Sequence, residues 1–356
     1  VSIAIAAAGT GGHVLPAIAV ADAIFGKAPV VFFGGNRFEK EAVPRAGFEF
    51  VEVRLRGLQR SFTLKNLLIP FTVLRAVRTI TREFREREVK ALLCMGGYVT
   101  VPAALAARLV GIPYFIAEQN AHAGLANRLM ARKAAGAFTS FEKTEGLPEA
   151  LHVGNPIRAE FADFSKGQVR RASVEYYGID PHRFTLGVVG GSLGSGALND
   201  ASFEAAARWE RADIQVIHLA GSRYEAAMKE RAEHVDIDWK VIGFEERMDL
   251  FYGAVDLLLS RAGGMIAEIT VTGTPMILVP GSHGSAGHQA ASAGMLAKAG
   301  AAVVLAEEDL GEALAEEVLR LTKDGPALAE MAASSMAVAK PDAAERIAKV
   351  LLDASR

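Results

Sequence analysis

Two glycine-rich segments carry the first chemical signal, Gly9-Thr10-Gly11-Gly12-His13 and Gly190-Gly191-Ser192-Leu193-Gly194-Ser195-Gly196. Each follows a short apolar run, Ser2 to Ala7 or Thr185 to Val189, and leads into a helix-like stretch. A glycine turn between strand and helix exposes backbone N–H groups at the helix's positive end, with no Cβ to hold an anion away. Phosphate suits such a turn. Two of them facing across a cleft would hold a doubly charged group, or one phosphate partner and one reacting partner. Glycine at a strand end also serves turns that bind nothing, so the neighbouring residues must decide.

The dinucleotide fingerprint GxGxxG needs a third glycine where Val14 stands, and Gly190 to Gly196 has no equivalent spacing, which argues against NAD or FAD. The triphosphatase loop GxxxxGK[ST] fits Gly191 to Gly196 but then meets Ala197 in place of lysine, which argues against ATP hydrolysis. What remains is a phosphate-bearing ligand held mainly by backbone amides, assisted by the Ser192 hydroxyl. His13 follows the first turn, where an imidazole could take a proton from a hydroxyl nucleophile near neutral pH; the alternative is a histidine that caps or packs the helix start. Glu268 stands early in a helix after Arg261-Ala262-Gly263-Gly264 and could accept bonds from both hydroxyls of a ribose, or be a solvated first-turn glutamate. Arg158, after Gly154-Asn155-Pro156, suits a bidentate phosphate contact or an ordinary surface position. Asp236-Ile237-Asp238 has the letters of a DxD metal motif but is read as a solvated loop, and His283 and His288 lack an obvious third ligand, so no metal site is expected.

The elements that must position these groups follow from composition and pattern. The chain has 356 residues, 51% hydrophobic and 22% charged, with a net charge of −2, which excludes a disordered protein and suggests two domains. Short apolar runs alternate with helix-like stretches, the pattern of an α/β protein with parallel sheets covered on both faces. Expected strands are Ser2 to Ala7, Val30 to Phe33, Ala91 to Met95 and Tyr114 to Ala117, then Thr185 to Val189, Gln215 to Leu219, Leu257 to Ser260 and Met276 to Val279. The seam is expected between about Asn155 and Lys166. Pro341 opens a final helix with Ala343, Ile347, Val350 and Leu351 at helical spacing. The single cysteine, Cys94, excludes an internal disulfide and a cysteine cage, and fits a reducing compartment.

The apolar opening Val1 to Ala8 lacks a basic flank and is read as a buried strand. The longest uncharged stretch, Ala91 to Ala107, has 17 residues broken by Gly96, Gly97 and Pro102, so no membrane span is expected. Between Arg54 and Lys90 lie ten Lys or Arg against three Glu, +7, which leaves −9 for the rest. This basic block surrounds Leu67, Leu68, Ile69, Pro70, Phe71, Val73, Leu74 and Val77, with Lys65, Arg75, Arg78 and Arg82 nearby. An apolar patch rimmed by cations can dock on an anionic leaflet, each cation contributing on the order of 1 kcal/mol. The alternative is an ordinary core helix with solvent-facing arginines. Nucleic acid is disfavoured, because no binding motif or interleaved aromatics accompany the charge.

The ordered set Gly9 to His13, Met95-Gly96-Gly97-Tyr98-Val99, Glu118-Gln119-Asn120, Gly124-Leu125-Ala126-Asn127, Gly154-Asn155-Pro156-Ile157-Arg158, Gly190-Gly191-Ser192, Arg261-Ala262-Gly263, His288-Gln289 and Lys298-Ala299-Gly300-Ala301-Ala302 resembles the MurG family across nearly the whole chain. These bacterial enzymes transfer N-acetylglucosamine to the undecaprenyl-pyrophosphoryl-MurNAc-pentapeptide called lipid I. The resemblance implies a GT-B fold, two Rossmann-like domains with parallel sheets facing across a cleft. An acceptor-side, membrane-facing domain would span 1–157, completed by the final helix 341–356, and a UDP-GlcNAc-binding domain would span 166–340.

On this resemblance Thr10, Gly11, Gly12, Asn120, Arg158, Ser192, Gly263, Gly264, Met265, Glu268 and Gln289 are donor contacts, with Glu268 on the ribose and Gln289 near the sugar. Glu245, beside Phe244, would meet the uracil through its backbone. Gly97, Tyr98, Glu118 and Asn127 would lie on the acceptor side, His13 would be the base, and Lys65, Leu68, Phe71, Leu74, Arg75 and Arg78 would form the membrane patch. The implied reaction is an inverting transfer to the MurNAc C4 hydroxyl, giving lipid II for peptidoglycan synthesis at the cytoplasmic face of the membrane. Its partners would be UDP-GlcNAc, lipid I and anionic inner-leaflet lipids, with no cofactor and no metal. Alternatives are a GT-B transferase with a different lipid acceptor, a UDP-GlcNAc 2-epimerase, or a non-catalytic nucleotide-sugar binder. The chain departs from the family pattern in a turn after Arg261 one residue shorter than usual, in Gly287 for an acidic residue, in Ser292 for asparagine and in Ala117 for histidine.

Overall fold

The computed structural model describes the chain except residues 56–68, 148, 162, 192, 211 and 283–285, so Lys65, Leu68 and Ser192 lie outside the described residues. The chain forms two compact units, Val1–Ala162 with Lys340–Arg356, and Asp163–Ala339.

The first unit runs β1 (Ser2–Ala6), α1 (Gly11–Ile24), β2 (Val30–Gly34), α2 (Phe38–Arg45), β3 (Glu49–Glu52), α3 (Ile69–Glu86), β4 (Val89–Cys94), α4 (Thr100–Val110), β5 (Tyr114–Glu118), α5 (Leu125–Ala131), β6 (Gly136–Thr139) and β7 (Leu151–His152). Its seven strands are parallel in the order β3-β2-β1-β4-β5-β6-β7. Side chains alternate across β1, as the pleat requires. Ile3 and Ile5 pack with Val14, Val20, Ile347 and Leu351 on one face. Ala4 and Ala6 pack with Val77, Ile80, Phe84 and Ala103 on the other.

The second unit runs α6 (Lys166–Tyr177), β8 (Phe184–Val189), α7 (Gly196–Trp209), β9 (Ile214–Leu219), α8 (Glu225–Ala232), β10 (Trp239–Ile242), α9 (Met248–Ala254), β11 (Leu257–Ser260), α10 (Ile266–Thr272), β12 (Met276–Leu278), α11 (Ala286–Lys298), β13 (Val303–Val304), α12 (Leu310–Thr322) and α13 (Gly325–Val338). Its six parallel strands take the order β10-β9-β8-β11-β12-β13. Leu186, Val188, Leu257 and Leu259 pack against Leu198 and Trp209 of α7 and Leu314 and Val318 of α12. The last helix, α14 (Ala343–Ala354), buries Ile347, Ala348 and Leu351 in the first unit.

Both sheets reverse strand order once, between β1 and β4 and between β8 and β11. At such a switch point the connections leave in opposite directions and open a crevice beyond the carboxyl ends of the strands. Both glycine-rich turns leave the carboxyl end of a switch-point strand.

The contact boundary falls at 162/163, inside the expected seam, and at 339/340, one residue before the expected start of the final helix segment. The short turn Ala159–Phe161 buries Phe161 in the first unit, and Lys340 packs against Gly154. Within the apolar stretch of the basic block, Val77 turns toward the core and is 5% exposed, whereas Phe71 and Leu74 on the same helix are 72% and 47% exposed. The helical period turns only part of the apolar run outward.

Because α14 packs on α1 and β4 with only a few large side chains, Leu351→Ala should destabilise the first unit by about 2–5 kcal/mol. Denaturant unfolding followed by a first-unit probe checks this, and a midpoint unchanged from wild type would refute it.

Candidate active site

In the first unit β1 ends in Ala7 to Thr10, and α1 starts at Gly11 with Thr10 as its cap residue. The amides of Gly11 and Gly12 are among those a helix leaves outside its own ladder, so they are available to an anion. His13 follows in the first turn. Its ring lies against Gly96 at the end of β4: a Cβ there would fall 2.8 Å from the ring carbon Cδ2, and Gly96 has φ +104°, so only glycine fits this approach. The imidazole Nδ1 is buried with no hydrogen-bond partner. Burial lowers the His13 pKa, against the opposing fields of Glu118 and Glu39, and so favours the neutral ring.

Glu118, at the end of β5, organises the next loop. Its carboxylate accepts bonds from the Asn120 amide N–H (3.1 Å), Asn120 Nδ2 (2.8 Å), the Gly124 N–H (2.9 Å) and Asn127 Nδ2 (2.8 Å). Asn120, Glu118 and Asn127 are thus one hydrogen-bonded cluster at the carboxyl edge that also bears His13 and Gly97. Tyr98 stands with its hydroxyl over Gly35, at the end of β2. Arg158 belongs to the first unit, where Nη1 pairs with Glu160 at 2.9 Å and the guanidinium lies 4.8 Å above the Phe161 ring.

In the second unit the turn after β8 is seated on β9. A Cβ at Gly194 would fall 2.1 Å from the Ala220 carbonyl oxygen. Ser195 caps α7, accepting from the Leu198 N–H at 3.4 Å, and its Oγ also accepts from Arg261 Nη2 (2.8 Å) and Nε (3.1 Å). Arg261 reaches the Val279 carbonyl and pairs with Glu307, which accepts from the Ser282 hydroxyl. Those two partners, Ser282 first, hold the Glu307 carboxyl below the usual range. Gly263, Gly264 and Met265 form the turn into α10, whose first turn carries Glu268; its Oε2 accepts from Tyr252 Oη at 3.2 Å. Gln289 Oε1 accepts the Gly281 N–H at 2.8 Å. The Glu245 carboxylate is occupied by Tyr177 Oη (2.8 Å) and the Arg247 N–H (2.7 Å), so its side chain shapes the loop after β10.

The sequence pattern did not single out Glu39, Ser195 or Glu307, and registered Arg261 only as part of a motif. Glu39 and Glu307 look like first-turn glutamates favoured by a helix dipole, and nothing local separates them from solvated ones.

The sequence profile of the glycosyltransferase family 28 N-terminal domain matches residues 3–139, and that of its C-terminal domain matches residues 185–347. The UDP-N-acetylglucosamine–N-acetylmuramyl-(pentapeptide) pyrophosphoryl-undecaprenol N-acetylglucosamine transferase of Salinibacter ruber is 38% identical over 354 residues, covering 97% of this chain and 94% of that protein. This chain belongs to glycosyltransferase family 28, in the MurG family. The crystal structure of Acinetobacter baumannii MurG superposes with a TM-score of 0.77 at 25% identity, covering 99% of each chain. A UDP-GlcNAc 2-epimerase from Neisseria meningitidis shares the fold at 13% identity, with a TM-score of 0.70 over 99% of this chain and all of its own. The family 28 chain therefore has the expected GT-B architecture of two parallel α/β units.

The second glycine turn of this glycosyltransferase has a buried support that fixes a testable pH response. Asn199 on α7 donates to the Ala220 carbonyl at 3.1 Å and pairs with His218 Nε2 at 2.9 Å, while Trp239 Nε1 donates to His218 Nδ1 at 3.3 Å. An indole N–H can only donate, so Nδ1 must accept and the proton sits on Nε2. Burial, with Arg231 adding to it, pushes the His218 pKa down to about 3. The unfolded chain therefore binds this proton near pH 6.5 while the native state refuses it. Stability from this site is complete above that pH and falls by on the order of 1 kcal/mol per pH unit as pH drops toward about 3. His218→Gln should flatten that part of the second unit's stability–pH curve, measured by urea unfolding; parallel curves for variant and wild type would contradict the assignment.

Proposed function

We propose that this glycosyltransferase moves GlcNAc from UDP-GlcNAc to the MurNAc C4 hydroxyl of lipid I, releasing UDP and forming lipid II for peptidoglycan synthesis. The full-length likeness to transferases of that name carries the reading, and the neutral histidine beside an open helix N-terminus supplies its chemistry. In a single in-line displacement, the acceptor oxygen attacks the anomeric carbon as its proton passes to His13. The bond from that carbon to the diphosphate oxygen breaks, its electron pair leaving with UDP, and the configuration inverts. Backbone amides at the glycine turns, Ser192 and Arg158 would stabilise the charge that develops on the diphosphate. Glu268 would take the ribose hydroxyls, Gln289 the sugar, and the backbone beside Phe244 and Glu245 the uracil. The scheme needs no cofactor and uses no metal.

Among the described residues no helix is long and apolar enough to cross a membrane. Access to a lipid-linked acceptor would come from peripheral docking at the cytoplasmic face. The exposed Phe71 and Leu74 of α3, with Arg75 and Arg78 also exposed, support this. A groove of about 390 Å³ beside them is lined by Leu74, Val77, Arg78, Arg82 and Leu109. Apolar insertion and attraction to anionic lipid reinforce one another on such a face.

UDP release and labelled-sugar transfer, with and without a lipid I analogue, test the reaction. Acceptor-dependent release with transfer is expected, whereas donor conversion without acceptor would favour an epimerase, and binding without release would mean no catalysis. His13→Ala should lower kcat by about 10²–10⁴-fold with a near-normal KM for UDP-GlcNAc. Since burial lowers the His13 pKa, the acid limb of the wild-type kcat/KM profile should lie below the ordinary histidine value of 6.5; near-normal turnover of the variant would send the search to another base. Replacing Phe71 and Leu74 together by serine should weaken sedimentation with phosphatidylglycerol vesicles by about tenfold, leaving turnover of a soluble acceptor analogue intact; undiminished sedimentation would remove this patch from the docking face.

A further inference from the structure

The turn that carries His13 has no side-chain cap of its own. The Thr10 side chain makes no capping bond to α1, and Gly9 stands at φ +116°. A carboxylate from the neighbouring helix supplies the fastening. Glu39, in the first turn of α2, accepts the Gly9 N–H through Oε2 at 3.0 Å and the Gly35 N–H through Oε1 at 2.9 Å. Its side chain is fully buried, and a buried carboxylate is tolerated only where directed donors replace its water. The two donors belong to the turns that end β1 and β2, so one side chain ties adjacent strand ends together. A third strand end closes over it: a Cβ at Gly35 would fall 1.6 Å from the Tyr98 hydroxyl and 3.0 Å from Glu39 Oε1, so the absence of a side chain at Gly35 lets Tyr98 lie over the clamp.

We infer that Glu39 is the positioning residue of the His13 turn. By clamping the Gly9 and Gly35 amides it sets the direction of the backbone entering α1, and with it the aim of the Gly11 and Gly12 amides and of the His13 ring. The inference rests on the transferase reading, because turnover is the quantity this alignment governs. The charged groups that act on His13 are Glu118 from β5 and Glu39 from α2; Arg37 and Glu52 act, with Glu39, on Tyr98.

Glu39→Gln keeps the size but places an N–H against one of the two backbone N–H groups. Glu39→Asp keeps the charge but is one methylene short of spanning both. Misalignment by about 1 Å costs on the order of 10²-fold, so both variants should lose about 10- to 100-fold in kcat, with the KM for UDP-GlcNAc within about threefold of wild type. The glutamine variant alone should also move the acid limb of kcat/KM to lower pH, because it removes a negative charge that favours protonated His13. Folded variants with wild-type kcat, or a glutamine variant whose acid limb stays in place, would overturn the inference. If neither variant folds, amide hydrogen exchange in the wild-type chain decides: protection of Gly9 and Gly35 matching that of β1 supports the clamp, and loop-like exchange refutes it. A wild-type chain that releases no UDP with acceptor would instead refute the transferase reading, while the exchange measurement would still report on the clamp.

Discussion

Parallel strands that diverge from a common point are the constraint on which the two units depend. Connections from β1 and β4 leave toward opposite edges of the first sheet, and those from β8 and β11 do the same in the second. The helices α1 and α7 begin there with donors their own ladders cannot use. Free helix-terminal donors at these two places are thus a by-product of topology.

Buried polar groups hold the turns in place. In the first unit the carboxylates are Glu39, bridging two strand ends, and Glu118, gathering Asn120, Gly124 and Asn127. In the second unit Arg261 gathers Ser195, the Val279 carbonyl and Glu307, and the His218–Asn199 pair secures α7 to the end of β9. Each is expensive to bury alone and tolerable only with several directed partners. That requirement fixes their geometry and, with it, the turns they hold. His13 differs: its Nδ1 is buried without a partner, and burial favours the neutral ring.

The fold was widely legible. Strands β1, β2, β4, β5, β8, β9, β11 and β12 announce themselves as apolar runs ending in glycine or a polar turn, because a strand buried on both faces needs side chains that tolerate burial everywhere. Strands β3, β6, β7, β10 and β13 were not expected; in the edge strands β3 and β10 the charged Glu49, Glu52 and Lys240 break the apolar run, and β7 and β13 have only two residues each. The glycine turns and His13 were visible for the same local reason: left-handed backbone and close approach leave a mark on composition.

Residue types, their order and the alternation of short apolar runs with helical ones determined the two α/β units and the turns that could meet phosphate. Only the tertiary structure decided that Glu39 and Arg261 fasten those turns and that Val77 faces inward while Phe71 and Leu74 face out. The physical reason is range. Strand and turn preferences act between neighbours along the chain, whereas the partner of a buried charge is chosen by packing that brings together residues 30 or 66 positions apart.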